Sequence, residues 1–317
     1  MAAEVRVGIC SWAYAALIEA GSFYPRKSMS AEDRLRFYAG VFDTVEINSS
    51  YYAIPAARNA VLWAERTPPG FLLNIKAYSL MTGHHPKPES LPAELQLMLP
   101  PAPRRTHRGE IHRSAFSGEA LDECFRLYRA AIAPLAEAGK LGYVLFQFAQ
   151  WVRFGDTGLR YLASLRERLP DLTVAVEFRD RSWFPEHATE TLGALAKAGL
   201  VHVVVYGPRA AGAVPRATAA TASTAVMRLH GRNAEGWLRQ LRGEEPTVRE
   251  KYDYLYAEDE LRELLPEVEA LENETERVFI SFNNNNRDYP VQNALMMRRL
   301  LGQGSRGVNF LPGSRRS

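Results

Sequence analysis

The chain predicts an α/β fold, a TIM-like (β/α)8 barrel built as a single domain over residues 1–317. Three observations predict it. Eight short apolar runs, rich in β-branched residues, recur along the 317 residues, and each has the length of a strand. Helical patterns stand between most of them, the alternation of a parallel sheet closed on itself. Six of the runs also end in polar side chains that alternate with large apolar neighbours. Because successive strand side chains point to opposite faces, that alternation sorts charge onto one face and bulk onto the other.

The first run, Val5 to Cys10, is followed by a helical pattern from Ser30 to Tyr38, where Ser30 and Asp33 resemble a capping arrangement. Thr44 to Ile47 forms the second strand, with a helix over Ala56 to Arg66. Phe71 to Ala77 is the third. It leads into a long insertion, about 79–117, with Pro86, Pro88, Pro92, Pro100, Pro101 and Pro103 and the basic cluster Arg104, Arg105, Arg108 and Arg113. A loop of that length reads either as a lid over a site or as a mobile solvated excursion. A helix over Glu119 to Ala138 then stops at Gly139 before the fourth strand, Leu141 to Phe148. Leu159 to Leu169 is helical, Thr173 to Phe178 the fifth strand, and His187 to Ala198 a helix that stops at Gly199. The sixth strand is Val201 to Tyr206. Arg209 to Ser223, rich in Ala, Gly, Thr and Pro, has no amphipathic period and predicts an irregular segment. Ala225 to His230 and Val278 to Asn283 complete the strands, with helices over Glu258 to Leu271 and Val291 to Leu301. The polar end of the chain, about 303–317, is expected to fray.

Composition bounds the function. Apolar residues make up 46% and charged residues 24%, the balance of an ordinary globular protein. A net charge of +3 and a pI near 8.8 are too weakly basic to argue for nucleic acid by themselves. Cys10 and Cys124 are the two cysteines, which excludes a disulfide framework or a Cys-rich zinc site. No run approaches the roughly 20 apolar residues that span a bilayer, so the expected location is cytoplasmic, with no membrane partner.

The polar strand ends converge on one place if the barrel closes. Glu46 and Asn48 share a face of the second strand, Asn74 and Lys76 of the third, and Glu177 and Arg179 of the fifth; Gln147 ends the fourth, Arg228 and His230 the seventh, and Asn283 the eighth. In such barrels the active site lies at the C-terminal mouth. Buried unpaired charges cost several kcal/mol each, so these groups either neutralise one another as a structural network or meet a ligand. Two carboxylates against Lys76, Arg179 and Arg228 leave the pocket slightly positive, and guanidinium groups suit carboxylate or phosphate.

Several segments together resemble the DUF72 (YecE-like) family: Gly8-Ile9-Cys10-Ser11-Trp12, Phe23-Tyr24-Pro25, Thr44 to Tyr52, Thr67-Pro68-Pro69-Gly70-Phe71, Leu145-Phe146-Gln147, Val176-Glu177-Phe178-Arg179, Leu229-His230-Gly231-Arg232, Tyr252 to Tyr256 and Phe282-Asn283-Asn284. The resemblance runs from Val7 to about Leu301. It implies a TIM-like barrel and brings no catalytic assignment with it. Two departures stand out: Phe148-Ala149-Gln150 lies where the family often has a proline after the fourth strand's glutamine, and the 79–117 insertion is longer and more basic than the family's usual one.

Three functions compete. The first is a metal-independent enzyme of hydrolase or lyase type acting on a small anionic substrate. Glu46 or Glu177 would be the base, His230 the proton donor, and Lys76, Arg179 and Arg228 the charge clamp. Lys76 could instead form a Schiff base, given a desolvated pocket. Asn48, Gln147 and Asn283 would orient the substrate, with Trp183 and Tyr206 among the aromatic walls. No cofactor or metal is called for. The second is nucleic-acid binding or nuclease-like processing through Arg104, Arg105, Arg108 and Arg113. The third is a noncatalytic protein that binds a ligand and releases it unchanged.

Overall fold

A computed structural model describes residues 3–208, 214–242, 244 and 247–304. Eight strands form a closed barrel in sequence order, β1 (Glu4–Cys10), β2 (Thr44–Ile47), β3 (Leu72–Lys76), β4 (Leu141–Gln147), β5 (Val174–Glu177), β6 (Val201–Tyr206), β7 (Thr224–Leu229) and β8 (Arg277–Phe282). Every neighbouring pair is parallel, and the ring closes where β1 pairs with β8 from Glu4↔Arg277 to Ile9↔Phe282. Each strand falls within two residues of the run that predicts it.

The two faces of the strands build two separate apolar layers. Outward residues such as Val45, Ile75, Phe146, Val176, Met227 and Ile280 pack under the helices in the larger core. Inward residues form a smaller one: Leu72, Tyr143, Leu145, Ala175, Val201, Val203, Val226 and Phe279 fill the barrel's interior. The same inward parity, continued toward the C-terminal strand ends, carries Glu46, Lys76, Gln147, Glu177 and Arg228. Hence an apolar plug lies beneath a polar layer.

The helices follow their sequence signals. Ser30 accepts from the Asp33 backbone N–H at 3.0 Å and caps Ala31–Val41, while Gly139 and Gly199 sit just past helix ends with φ near +63° and +62°, the left-handed turn that glycine enters without strain. One predicted helix is two: Glu258–Arg262 and Leu265–Glu274 are separated. Pro266 explains the break, because a residue without an N–H is accommodated in the first turn of a new helix and not inside a continuing one. Two further helices, Ala234–Leu241 and Val248–Lys251, follow β7 without having been predicted. Of the segment expected to be irregular after β6, residues 214–223 carry no helix, and 209–213 lie outside the described residues, as do 305–317 of the tail.

The insertion after β3 is held down along its length. Leu80, Met81, Leu91, Leu95 and Ile111 are buried, Arg105 and Ile111 form an antiparallel bridge, and the Ile111 N–H donates to the Pro86 carbonyl at 2.9 Å. These apolar anchors, spaced between the prolines, supply what a solvated excursion lacks.

Candidate active site

Arg228 is the centre of the polar layer. Its side chain and those of Glu46 and Glu177 have no solvent exposure. The guanidinium donates to Glu46 twice, from Nε to Oε2 at 3.0 Å and from Nη2 to Oε1 at 2.7 Å, and from Nη1 to Glu177 Oε2. Nη2 also lies 3.6 Å from Cys10 Sγ. Tyr143 adds a hydroxyl to Glu46 Oε2 at 3.1 Å and lies 3.3 Å from the Ser281 hydroxyl. Desolvating three ions is expensive, and such a set persists only when the pairing is close to complete. Here both carboxylates and the guanidinium are paired.

A second tier surrounds this one. Glu177 Oε1 accepts from Gln147 Nε2 at 2.7 Å, pairs with Arg179 Nη2, and lies 3.3 Å from His230 Nε2. His230 Nδ1 meets the Asn283 amide at 2.8 Å. Because that amide donates to Nδ1, Nε2 carries the ring's proton toward Glu177. Burial would raise the Glu177 carboxyl, but Arg179, Arg228 and His230 together hold it well below the usual carboxylate range. Burial pushes His230 down to about 4, against the pull of Glu177. A thiolate at Cys10 is disfavoured by burial and by Glu46, so its thiol stays protonated.

Lys76 closes the tier on the other side. Nζ donates to Gln147 Oε1 at 2.9 Å and stands 4.8 Å from the centre of the Tyr51 ring. Burial, with Arg228 adding to it, pulls the amine down to about 8. Next to Tyr51, at 5.2 Å between ring centres, is His84 from the insertion, whose imidazole burial, Lys76 and Arg179 push to about 3.

Nine of the eleven residues expected at the site stand at or beside this mouth: Glu46, Lys76, Gln147, Glu177, Arg179, Arg228, His230 and Asn283 in one network, and Asn48 directly after β2. Trp183 and Tyr206 do not join them. Trp183 is fully buried behind the barrel wall, its ring 4.5 Å from Phe178 and its indole N–H donating to the Val152 carbonyl at 2.8 Å. Tyr206 follows Val205, which packs on the inner core, so its own parity is outward, under the Arg216 guanidinium at 4.7 Å. Arg228 is also differently employed from a clamp, since its hydrogen bonds go to the two carboxylates. Two groups went unread as members of the network. Tyr143 lies on the inward face two residues before Leu145, a signal that parity does contain, whereas Cys10 looked like an ordinary end of an apolar strand.

The basic cluster of the insertion is partly engaged by its own chain: Arg105 donates to the Gly109 carbonyl at 2.8 Å, and Arg113 lies over the Tyr161 ring. Among the described residues no three His, Cys, Asp or Glu side chains gather to hold a metal ion, and no helix is long and apolar enough to cross a membrane.

Known proteins carry the same architecture. The profile of the family described as "Protein of unknown function DUF72" matches residues 6–316. The chain belongs to the DUF72 family. It is 31% identical over 301 residues to the UPF0759 protein YunF of Bacillus subtilis, covering 94% of each chain. A DUF72 family protein from Enterococcus faecalis superposes with a TM-score of 0.76 at 25% identity, covering 95% of this chain and 96% of that one. Another from Thermotoga maritima gives 0.72 at 28% identity, with 95% and 100% covered.

Proposed function

We propose that this DUF72 protein is an enzyme of hydrolase or lyase type that acts, without a metal, on a small carboxylate- or phosphate-bearing anion at the C-terminal mouth of its barrel. One observation carries the reading: the gradient of burial through the charged layer. Glu46, Glu177 and Arg228 are sealed, whereas the Arg179 side chain keeps 15% of its exposure, and Lys76 and Gln147 are only partly buried. Among these five groups, with His230 neutral, two carboxylates against Arg228, Arg179 and Lys76 leave one positive charge, and the accessible share of the layer is cationic. A closed structural network would balance itself. This one ends in surplus charge where a ligand can reach it, and low-dielectric walls strengthen its attraction for an anion.

In this reading Arg179 and Lys76 receive the anion, and Gln147 and Asn283 orient it. Glu46, Glu177 and Arg228 act as the rigid base of the site. Calorimetric titration with a panel of small carboxylates and phosphates tests it. A ligand should bind to the native chain and weaken about 10- to 100-fold in Arg179→Ala, the worth of one charge-assisted hydrogen bond. Affinity unchanged in that variant, or no anion bound at all, would overturn it.

A further inference from the structure

We infer that Lys76 forms a Schiff base with an aldehyde or keto group carried by the anionic substrate, so that the substrate class is a small oxo acid or a sugar phosphate. The inference rests on the preceding reading, because the anion delivers the carbonyl to the amine.

The geometry around Nζ is that of a nucleophile rather than of a structural ammonium. Among the described residues its hydrogen-bond acceptor is the neutral Gln147 amide, and its other close partner is the Tyr51 ring. Both inward glutamates are engaged by Arg228 instead. Lys140 is the contrast: its amine donates to the Ala64 carbonyl at 2.6 Å, to Thr67 Oγ1 at 3.0 Å and to the Thr67 carbonyl. An ammonium with a single amide acceptor and a guanidinium neighbourhood yields its proton readily. The charged groups that act on it are Arg228 from β7 and Arg179 beyond β5, which oppose the proton, and Glu46 from β2 and Glu177 from β5, which favour it; burial outweighs all four.

A neutral imidazole meets the same Tyr51 ring, His84 at 5.2 Å between ring centres. The Thr82 hydroxyl gives its one proton to the Ser79 carbonyl at 3.0 Å, so in the 2.8 Å contact between Thr82 Oγ1 and His84 Nδ1 the ring nitrogen is the donor. That tautomer leaves the lone pair on Nε2. Nζ would bond the carbonyl carbon as the C=O π pair moves to oxygen. One proton passes from nitrogen to that oxygen by way of solvent, a second comes from solvent, and the oxygen leaves as water. The product is an iminium, with no change of oxidation state.

Trapping tests this. The full chain is incubated with pyruvate or glyceraldehyde 3-phosphate and reduced with sodium borohydride, and the adduct is located by peptide mass spectrometry. One reduced substrate should sit on Lys76, and the label should fall at least about tenfold in Lys76→Arg, which keeps the charge but loses the nucleophile. Its rate should rise with pH to a midpoint of about 8, and label on Lys251, whose amine burial also lowers to about 8, would count against the assignment. Label spread over surface lysines, or undiminished in Lys76→Arg, overturns the inference. Lactate and inorganic phosphate, which carry no aldehyde or keto group, separate the two readings. If they bind by calorimetry while Lys76 stays unlabelled, the Schiff base falls and the anion site stands; if neither binds and no label forms, both fall.

Discussion

Arg228 on β7 and Glu46 on β2 face each other across the barrel in a two-bond fork, Nε to Oε2 at 3.0 Å and Nη2 to Oε1 at 2.7 Å. The strands are three apart around the ring, so the pair ties opposite walls together. The same guanidinium also holds Glu177, and one cation thus neutralises the interior ends of two strands. Removing it leaves Glu46 buried without its cation and Glu177 with Arg179 as its guanidinium partner.

Arg228→Met should therefore destabilise the fold by about 3–5 kcal/mol, the usual cost of breaking a buried pair from one side. Arg228→Lys should recover little of it, since an ammonium cannot reproduce the fork or reach both carboxylates. Urea unfolding followed by circular dichroism measures both. A loss within about 1 kcal/mol in Arg228→Met would mean that the carboxylates protonate or rearrange without cost.

Acid should weaken the protein in a window to which His230 contributes directly. Its imidazole is held down to about 4 from an ordinary 6.5, so between those values the unfolded chain takes up a proton that the folded chain refuses. Stability is then complete above about pH 6.5 and declines as pH falls toward 4, by roughly 3 kcal/mol from this residue. Burial also depresses His84 and His202, which act in the same direction, so His230 supplies one share of the decline. As pH falls through the usual carboxylate range Glu177 begins to lose its own contribution, because its folded carboxyl titrates lower than the unfolded one. Melting temperatures from pH 7.5 to 4 should trace this decline, and His230→Asn should flatten it. An equal slope in that variant would assign the window to other groups.

Strand parity explains what the sequence disclosed and what it withheld. Alternation alone placed Glu46, Lys76, Gln147, Glu177 and Arg228 on one inward face, because a two-residue period survives whatever the strands pack against. It could not say which charges choose one another. Arg228 and Arg179 read alike in sequence, yet only the first is sealed against two carboxylates. Trp183 and Tyr206 were drawn toward the site by residue type, since an aromatic at or after a strand's C-terminal end can serve either wall. Parity at Tyr206 and the packing behind Phe178 at Trp183 put them outside. The insertion was illegible for a different reason: Ile111 is a single apolar residue among polar ones, and in Leu91 to Leu99 every second residue is apolar although Leu95 is buried and Leu97 exposed, so only tertiary contact marks the anchors.

Gly142 on β4 offers a test of the packing that supports the site. A Cβ there would run into the Asn74 side-chain oxygen and stand 3.1 Å from the Phe279 ring. Asn74 is fully buried and donates to Thr44 Oγ1 at 3.0 Å, so it has nowhere to retreat without breaking that bond. Gly142→Ala should cost about 1–3 kcal/mol through overpacking, measured as a lower urea midpoint with an unchanged slope. Wild-type stability would show that β4 can shift outward at this point.

Gln147 joins the two halves of the candidate site, accepting from Lys76 with one end of its amide and donating to Glu177 with the other. Gln147→Glu keeps the shape but sets a carboxylate beside the amine and takes a donor from Glu177. A counterion at that distance favours the ammonium, so the Lys76 midpoint should move from about 8 upward by about one unit or more. Gln147→Leu removes the acceptor without supplying a charge and should leave the midpoint low. Competitive acetylation across pH, read at Lys76 by peptide mass spectrometry, separates the two variants. If Gln147→Glu leaves the midpoint where it was, burial alone governs the amine, and the neutral character of the Gln147 amide has no part in its reactivity.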